Sequence, residues 1–364
     1  MNETLTDRQF AFIMLGAAIG QDLVYIPQLM AKEAGTGGWV TMLIATCIAA
    51  YLVYLFVYLG YVHKNKTLYD YSQELVGKYI TYIFAGIYIL YFFTIFSLNC
   101  RVFSEYLNIF TMPHTPVIAL CLLLLLVILL VLIKRLRVLA RLCEIYMSLV
   151  IIGALIISTI IIFQGRLVNM RPFFEVSEVS TYIKAIPTMQ FPVVGIEILG
   201  CVAICKNNTK KVFKYSALSA FLYGACLIYV FEACLSVIGV DDIIHYDFTL
   251  FNVLRSIDVP YLDFLKRLDG IALMFWFMSV FCHLSLFAYG TIFYINKIFK
   301  RISYNLLVFI VLILAFFVFL LPQTYYQAKE VLIFISNAMV ITSVLIPMIL
   351  LIITKVKKYD KGTT

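Results

Sequence analysis

The chain has 364 residues, 63% of them hydrophobic and 13% charged, with a mean hydropathy of +0.98 and a formal charge of +8. A soluble domain carries roughly 45–50% apolar and about 25% charged residues, so the composition excludes a soluble globular protein and describes one embedded in a membrane. Apolar runs of about 20 residues, enough to cross a hydrocarbon core of roughly 30 Å, recur along the whole length.

Hydropathy predicts spans at 9–31, 39–62, 80–108, 116–133, 143–163, 185–205, 215–238, 267–295, 303–321 and 331–354. Thr6 and Gln9 read as a capping box that opens the first. That first run is too long for a signal-peptide core of about 7–15 residues. Its middle, "LGAAIGQDLVYIPQ" (15–28), holds Gly16, Gly20, Gln21 and Asp22. Glycine weakens the helix there, and a carboxylate at that depth is expensive. On the third span Tyr91, Ile95 and Asn99 fall one turn apart. Arg101 and Glu105 follow on the same helix at i,i+4, a spacing that lets them neutralise each other. The fourth span, "VIALCLLLLLVILLVLI", is apolar all round and is expected to face lipid over much of its surface.

The sixth span, "AIPTMQFPVVGIEILGCVAIC", contains Pro187, Pro192, Gly195 and Gly200, with Glu197 just after the Pro-Gly pair. Pro192 removes a helical hydrogen bond and Gly195 permits unusual backbone angles, so this span is expected to be discontinuous. Cys201 and Cys205 would share a helix face there; like the other seven cysteines they read as ordinary small membrane-helix residues. No metal site is expected. Glu232 in the seventh span has no evident partner, whereas Glu144 and Asp269 sit near span ends. The loop 239–266 mixes apolar residues with Asp241, Asp242, Asp247, Asp258 and Asp263, which suggests short amphipathic helices at the outer surface. On the eighth span Trp276, His283 and Phe287 fall at i, i+7 and i+11.

An even number of spans puts both termini on one side. Of the 28 Lys and Arg residues, nineteen lie on that side, in clusters such as Lys134–Arg141 and Lys206–Lys214. The positive-inside rule then predicts cytoplasmic termini. The basic charge is thus a topology signal and does not point to nucleic acid. No phosphate loop, nucleotide fingerprint or nucleophile elbow occurs, so neither catalysis nor a cofactor is expected.

Gly20 and Gly195 lie about equally far into spans one and six, the openings of two five-span halves. Interrupted helices at matching places in two halves point to a midplane site in inverted-repeat transporters. The expected fold is therefore an all-α membrane domain over 1–364. Its first repeat covers 9–163, and its second covers 185–321 with a last span at 331–354. Free N–H and C=O groups at the two breaks suit a small zwitterion. The residues placed at that site are Gly16, Gly20, Gln21, Asp22, Tyr91, Ile95, Pro192, Val194, Gly195, Trp276, His283 and Phe287, with Arg101, Glu105 and Glu197 in structural or coupling roles.

Four stretches carry a family resemblance: Gly20 to Pro27 followed by "AKEAGTGGWV"; Arg101 with Glu105; "FPVVGIEIL" at 191–199; and "KRLDGIALMFWF" at 266–277. In their order and spacing the chain resembles the B subunit of the bacterial spore germinant receptors, a branch of the amino acid–polyamine–organocation transporter superfamily. The resemblance implies a LeuT-like fold of ten transmembrane helices and a nutrient sensor in the spore inner membrane. It also implies two partners, an A-type membrane subunit and a C-type lipoprotein. By position the family's pocket falls on Gly20, Tyr91, Ile95, Val194, His283 and Phe287. The family commonly has Gly-small-Gly at the first break, where this chain reads Gly20-Gln21-Asp22. Gln21 and Asp22 suit the hydroxyls of a sugar or nucleoside, an extra amine, or a cation, or else turn outward to another helix. An ion-coupled amino acid symporter of the same fold is the alternative.

Overall fold

Thr6 opens the first helix by a reciprocal cap: its hydroxyl accepts the Gln9 N–H and the Gln9 side chain accepts the Thr6 N–H, each at 3.2 Å. The computed structural model describes residues 5–20, 22–188, 194–205, 208–256 and 268–359, with Asp22 described by its backbone alone. Gln21 and Pro192 lie outside the described residues. Helix α1 (Asp7–Ala18) ends where the Gly20 N–H folds back on the Ala18 carbonyl at 3.0 Å, and the chain restarts as α2 (Asp22–Ala34). The first span is therefore two half-helices. A 3₁₀ turn at Gly35–Gly37 leads into α3 (Gly38–Val62).

Helix α4 (Leu68–Val76) follows, capped by Thr67 and Asp70. Hydropathy does not announce it because one face is polar. The Lys297 ammonium donates to both Asp70 oxygens, at 2.7 and 2.8 Å. Burial by itself raises the Asp70 carboxyl, but the bonds from Lys297 and Thr67 outweigh it and hold the group below its usual 3.8. Helices α5 (Lys78–Phe110), α6 (Val117–Leu132) and α7 (Arg135–Gln164) complete the first half. Leu122, Leu123, Leu126 and Leu130 of α6 are exposed, as a lipid-facing helix requires.

The sixth span is discontinuous, but it differs from two stacked half-helices. Beyond the short α8 (Val179–Lys184), the described residues up to Cys205 form 3₁₀ turns at Ile186–Thr188 and Ile196–Cys201. Val202 is extended (φ −109°, ψ 125°), so Cys201 and Cys205 do not share a helix face. With Pro187, Gly195 and Gly200 so close together, a continuous α-helical ladder cannot form.

Helix α9 (Lys211–Ile243) contains a break at Gly239, where φ is +76°. Helix α10 (Thr249–Ser256) realises the expected amphipathic element in the loop after α9, though it buries Leu250, Phe251, Val253 and Leu254; residues 257–267 lie outside the described set. Helices α11 (Leu268–Ile298) and α12 (Tyr304–Leu320) follow. The tenth span begins earlier than hydropathy places it, as α13 (Tyr325–Ser336). It passes through a π-helical turn at Val340–Leu345 and ends as α14 (Ile346–Val356).

Among the described residues six helical stretches are long and apolar enough to cross a bilayer, and α6 and α12 are apolar but shorter. At the centre, α1 packs against α7, α9, α11 and the 3₁₀ turn 196–201. Gly16 belongs to this packing. A Cβ there would lie 2.9 Å from the Cys143 sulfur and 3.4 Å from Cys282 Cβ, so the glycine lets three helices approach closely.

Candidate functional site

The two breaks meet. Gly195 has φ +105°, and a Cβ on it would lie 2.4 Å from the Ala17 carbonyl oxygen. Only glycine suits both the angle and the approach. Breaking α1 frees carbonyls at its end, and three at the break find side-chain partners. The Ala17 oxygen accepts from His283 Nδ1 at 2.6 Å, the Ala18 oxygen from the Tyr223 hydroxyl at 3.2 Å, and the Gly20 oxygen from Ser279 Oγ at 3.3 Å. On its other side His283 Nε2 lies 3.3 Å from Asn99 Nδ2. The network assigns the tautomer: Nδ1 carries the proton, and Nε2 accepts from the amide. His283 also stacks on Phe287 (4.4 Å, 30°). One imidazole thus ties α5 and α11 to the end of α1.

At the second break the Glu197 carboxylate turns back on its own turn. It accepts the Gly195 N–H at 3.0 and 3.1 Å and the Ser343 hydroxyl at 2.8 Å, and it is fully buried. The buried Tyr91 hydroxyl lies within electrostatic reach of the same carboxylate without completing a hydrogen bond. Tyr88 donates to the Thr342 carbonyl at 2.6 Å. The π-helical turn of the tenth span is therefore anchored to both the sixth span and α5.

A cavity opens between these breaks and α13. Ala18, Ile95, Asn99, Val194 and His283 form its inner wall. Its outer wall is Tyr25, Val102, Tyr106 and a stripe of α13, namely Tyr325, Lys329, Leu332, Ile333 and Ser336. The Tyr106 and Tyr325 hydroxyls share a 2.8 Å hydrogen bond, and Phe248 packs edge-on to Tyr106 at 4.3 Å. The Lys329 ammonium sits 4.2 Å over the Tyr25 ring and 3.3 Å from Asp247. Tyrosine, lysine and aspartate thereby close the cavity on its α13 side.

Among the residues read from sequence, Ile95, Val194 and His283 line this cavity. Gly20 abuts it, since a Cβ there would lie 2.9 Å from His283 Nδ1. Phe287 backs His283, and Tyr91 faces Glu197 rather than the cavity. Trp276 lies apart, packed on Phe103, Tyr106 and Phe251 beside a second, smaller hollow. Gly16 also lies apart, in the helix packing described above. Arg101 and Glu105 form an ion pair at 2.6 Å, and the guanidinium lies over Phe319. Glu232 is buried with no hydrogen-bond partner among the described residues. Of Asp22 only the backbone is described.

The α13 wall was missed from sequence because Lys329 reads as an ordinary loop charge. Two stripes carry the signal that was available. Ile95, Asn99, Val102 and Tyr106 recur at i, i+4, i+7 and i+11, and Tyr325, Lys329, Leu332 and Ser336 repeat the same spacing.

The family model described as "Spore germination protein" matches residues 4–328. Spore germination protein KB of Bacillus subtilis (strain 168) is 25% identical over 298 residues, which is 81% of this chain and 78% of that one. The putative spore germination protein YfkT of the same organism is 24% identical over 345 residues, 92% of each chain. Among solved structures, MhsT in complex with L-phenylalanine superposes with a TM-score of 0.70 at 10% identity, over 97% of this chain and 99% of that one. At that identity the likeness shows the fold: the LeuT-like arrangement of ten transmembrane helices in two inverted sets of five, with the first and sixth interrupted.

Proposed function

The chain belongs to the spore germination protein family, and on that premise we propose that it is the nutrient-sensing subunit of a germinant receptor. In this reading a small ligand such as an amino acid enters the cavity between the two breaks and α13. Ile95, Asn99, Val194 and His283 contact it, and its binding biases a channel-forming partner. The partners are an A-type membrane subunit and a C-type lipoprotein, and the location is the spore inner membrane with both termini cytoplasmic. The excess of Lys and Arg on the terminal side supports that orientation.

One observation carries the reading: the cavity lies against the junction of the two breaks, where His283 joins α5, α11 and the end of α1. A ligand there touches both halves of the fold, so its binding energy can shift their relative arrangement. The shift equals its differential affinity for the two arrangements and no more. The occupied break ends favour sensing over sodium-coupled transport. The Ala17 carbonyl, where a cation would be drawn, accepts the His283 N–H instead. A proton-coupled symporter remains the second reading, because His283 and the buried Glu197 are titratable groups seated at the two breaks.

Reconstituted alone in vesicles, a sensor binds labelled ligand without accumulating it. Saturable uphill uptake under a proton gradient would replace the sensing reading with the symporter.

A further inference from the structure

The break ends are where a zwitterion would normally dock its charges, yet among the described residues one group at each break is already engaged. Glu197 takes the Gly195 N–H, and His283 fills the Ala17 carbonyl. A full charge on a ligand is then met most directly by a charged side chain in the cavity wall. Among the described residues that line it, Lys329 is the one carrying a full positive charge, and none is a carboxylate.

Lys329 is also only lightly committed. Its contact to a single Asp247 oxygen is 3.3 Å, long for a charge-assisted bond of about 2.7–2.9 Å. By comparison, Lys297 holds both oxygens of Asp70 at 2.7 and 2.8 Å. The Lys329 ammonium keeps further donors, and the Tyr25 ring under it supports a cation without quenching its hydrogen bonds. Beside it, Tyr106 and Tyr325 have two hydroxyl protons between them and use one in their mutual bond. The other is left for an acceptor.

Resting on the nutrient-site reading above, we propose that the ligand carries an anionic group, a carboxylate or its equivalent, and that Lys329 with the Tyr106–Tyr325 hydroxyl pair binds it. The ligand's acid group then points outward to α13, away from the helix breaks. It competes with Asp247, which lies in the connection between α9 and α10, so that occupancy loosens the outer closure at that connection.

The test uses the purified full chain in detergent. The probes are the twenty L-amino acids, each paired with its carboxamide, with D-glucose and inosine as anion-free compounds. Binding is read as the rise in melting temperature with concentration. We expect at least one amino acid to stabilise the protein and its carboxamide to bind about tenfold or more weakly. Lys329→Met should remove that difference, and Lys329→Arg should largely retain it. Asp247→Asn should tighten the amino acid by a few-fold, because its competitor is gone, an effect that mere structural damage would not produce. If Lys329→Met does not fold, the carboxamide comparison and Asp247→Asn decide. Equal binding of acid and amide, or unchanged binding in Lys329→Met, overturns the role of Lys329 and leaves the nutrient site standing. Stabilisation by glucose or inosine alone does the same. No stabilisation of the parent chain by any compound overturns both.

Discussion

Replacing Gly20 by Ala should disturb the junction through His283, which also forms part of the cavity wall. The added Cβ would lie 2.9 Å from His283 Nδ1, 3.0 Å from Cγ and 3.2 Å from Cε1. The ring has little room to yield. Nδ1 is bonded to Ala17 at 2.6 Å, Nε2 faces Asn99 at 3.3 Å, and Phe287 stacks on the face at 4.4 Å. Relief therefore breaks at least one buried hydrogen bond, and leaving such a group unpaired costs about 1–3 kcal/mol. In an ordinary helical setting the same change gains roughly 0.5–1 kcal/mol. Gly86, with nothing within 4 Å of its would-be Cβ, supplies that control. We expect Gly20→Ala to lower the melting temperature and weaken ligand binding, and Gly86→Ala to do neither. The decisive assay is a double-mutant cycle with His283→Ala. Once the ring is gone the Gly20 penalty should vanish, giving a coupling of about 1–2 kcal/mol. Additive losses, or a silent Gly20→Ala, would refute the assignment of His283 as the tie between α1 and α11.

Gly195→Ala should be more severe, about 2–5 kcal/mol, because it combines left-handed backbone strain with a Cβ that would stand only 2.4 Å from the Ala17 carbonyl oxygen; a normal melting curve would contradict the close approach of the breaks. Glu197→Gln puts an amide donor against the Gly195 N–H or the Ser343 hydroxyl, so a loss of about 1–3 kcal/mol is expected in denaturation, with a smaller loss for Ser343→Ala. Mild acid should destabilise the contact between the end of α3 and α14 through His63, which burial holds below its usual 6.5 and which pairs with Thr354 at 3.1 Å. The unfolded chain then binds the proton more readily than the folded one, so the contribution of His63 is present above pH 6.5 and is lost as pH falls through the folded value. In a pH series of melting temperatures His63→Gln should flatten that part of the profile, and an unchanged slope would place the effect elsewhere.

Much of the site was legible because the signals are local. A glycine within an apolar span and a Pro-Gly pair in another each predict a broken helix from backbone chemistry alone, and both breaks are there in the fold. The stripe through Ile95 and Asn99 follows from helical period, and so does the position of His283. Less legible was the character of the sixth span. The expectation of a discontinuous span did not anticipate that four helix breakers within fourteen residues leave 3₁₀ turns and extended chain among its described residues. Trp276 was grouped with His283 because seven residues make two turns. The helix is long, however, and carries the indole into a different aromatic cluster.

By itself the sequence determined that the chain is a helical membrane protein, roughly where its apolar spans lie, which two are interrupted, and that Arg101 and Glu105 are spaced to pair. All of these depend on neighbours within about a turn or on the apolar length of a segment. Only the tertiary structure decided how the break ends are satisfied and what walls the cavity. His283 reaches a carbonyl 266 residues away, Ser343 reaches a carboxylate 146 residues away, and the α13 stripe faces α5 across the cavity. Such pairings are selected by the need to satisfy every buried polar group once the helices pack, and the local pattern of residues carries no record of which partner will be near.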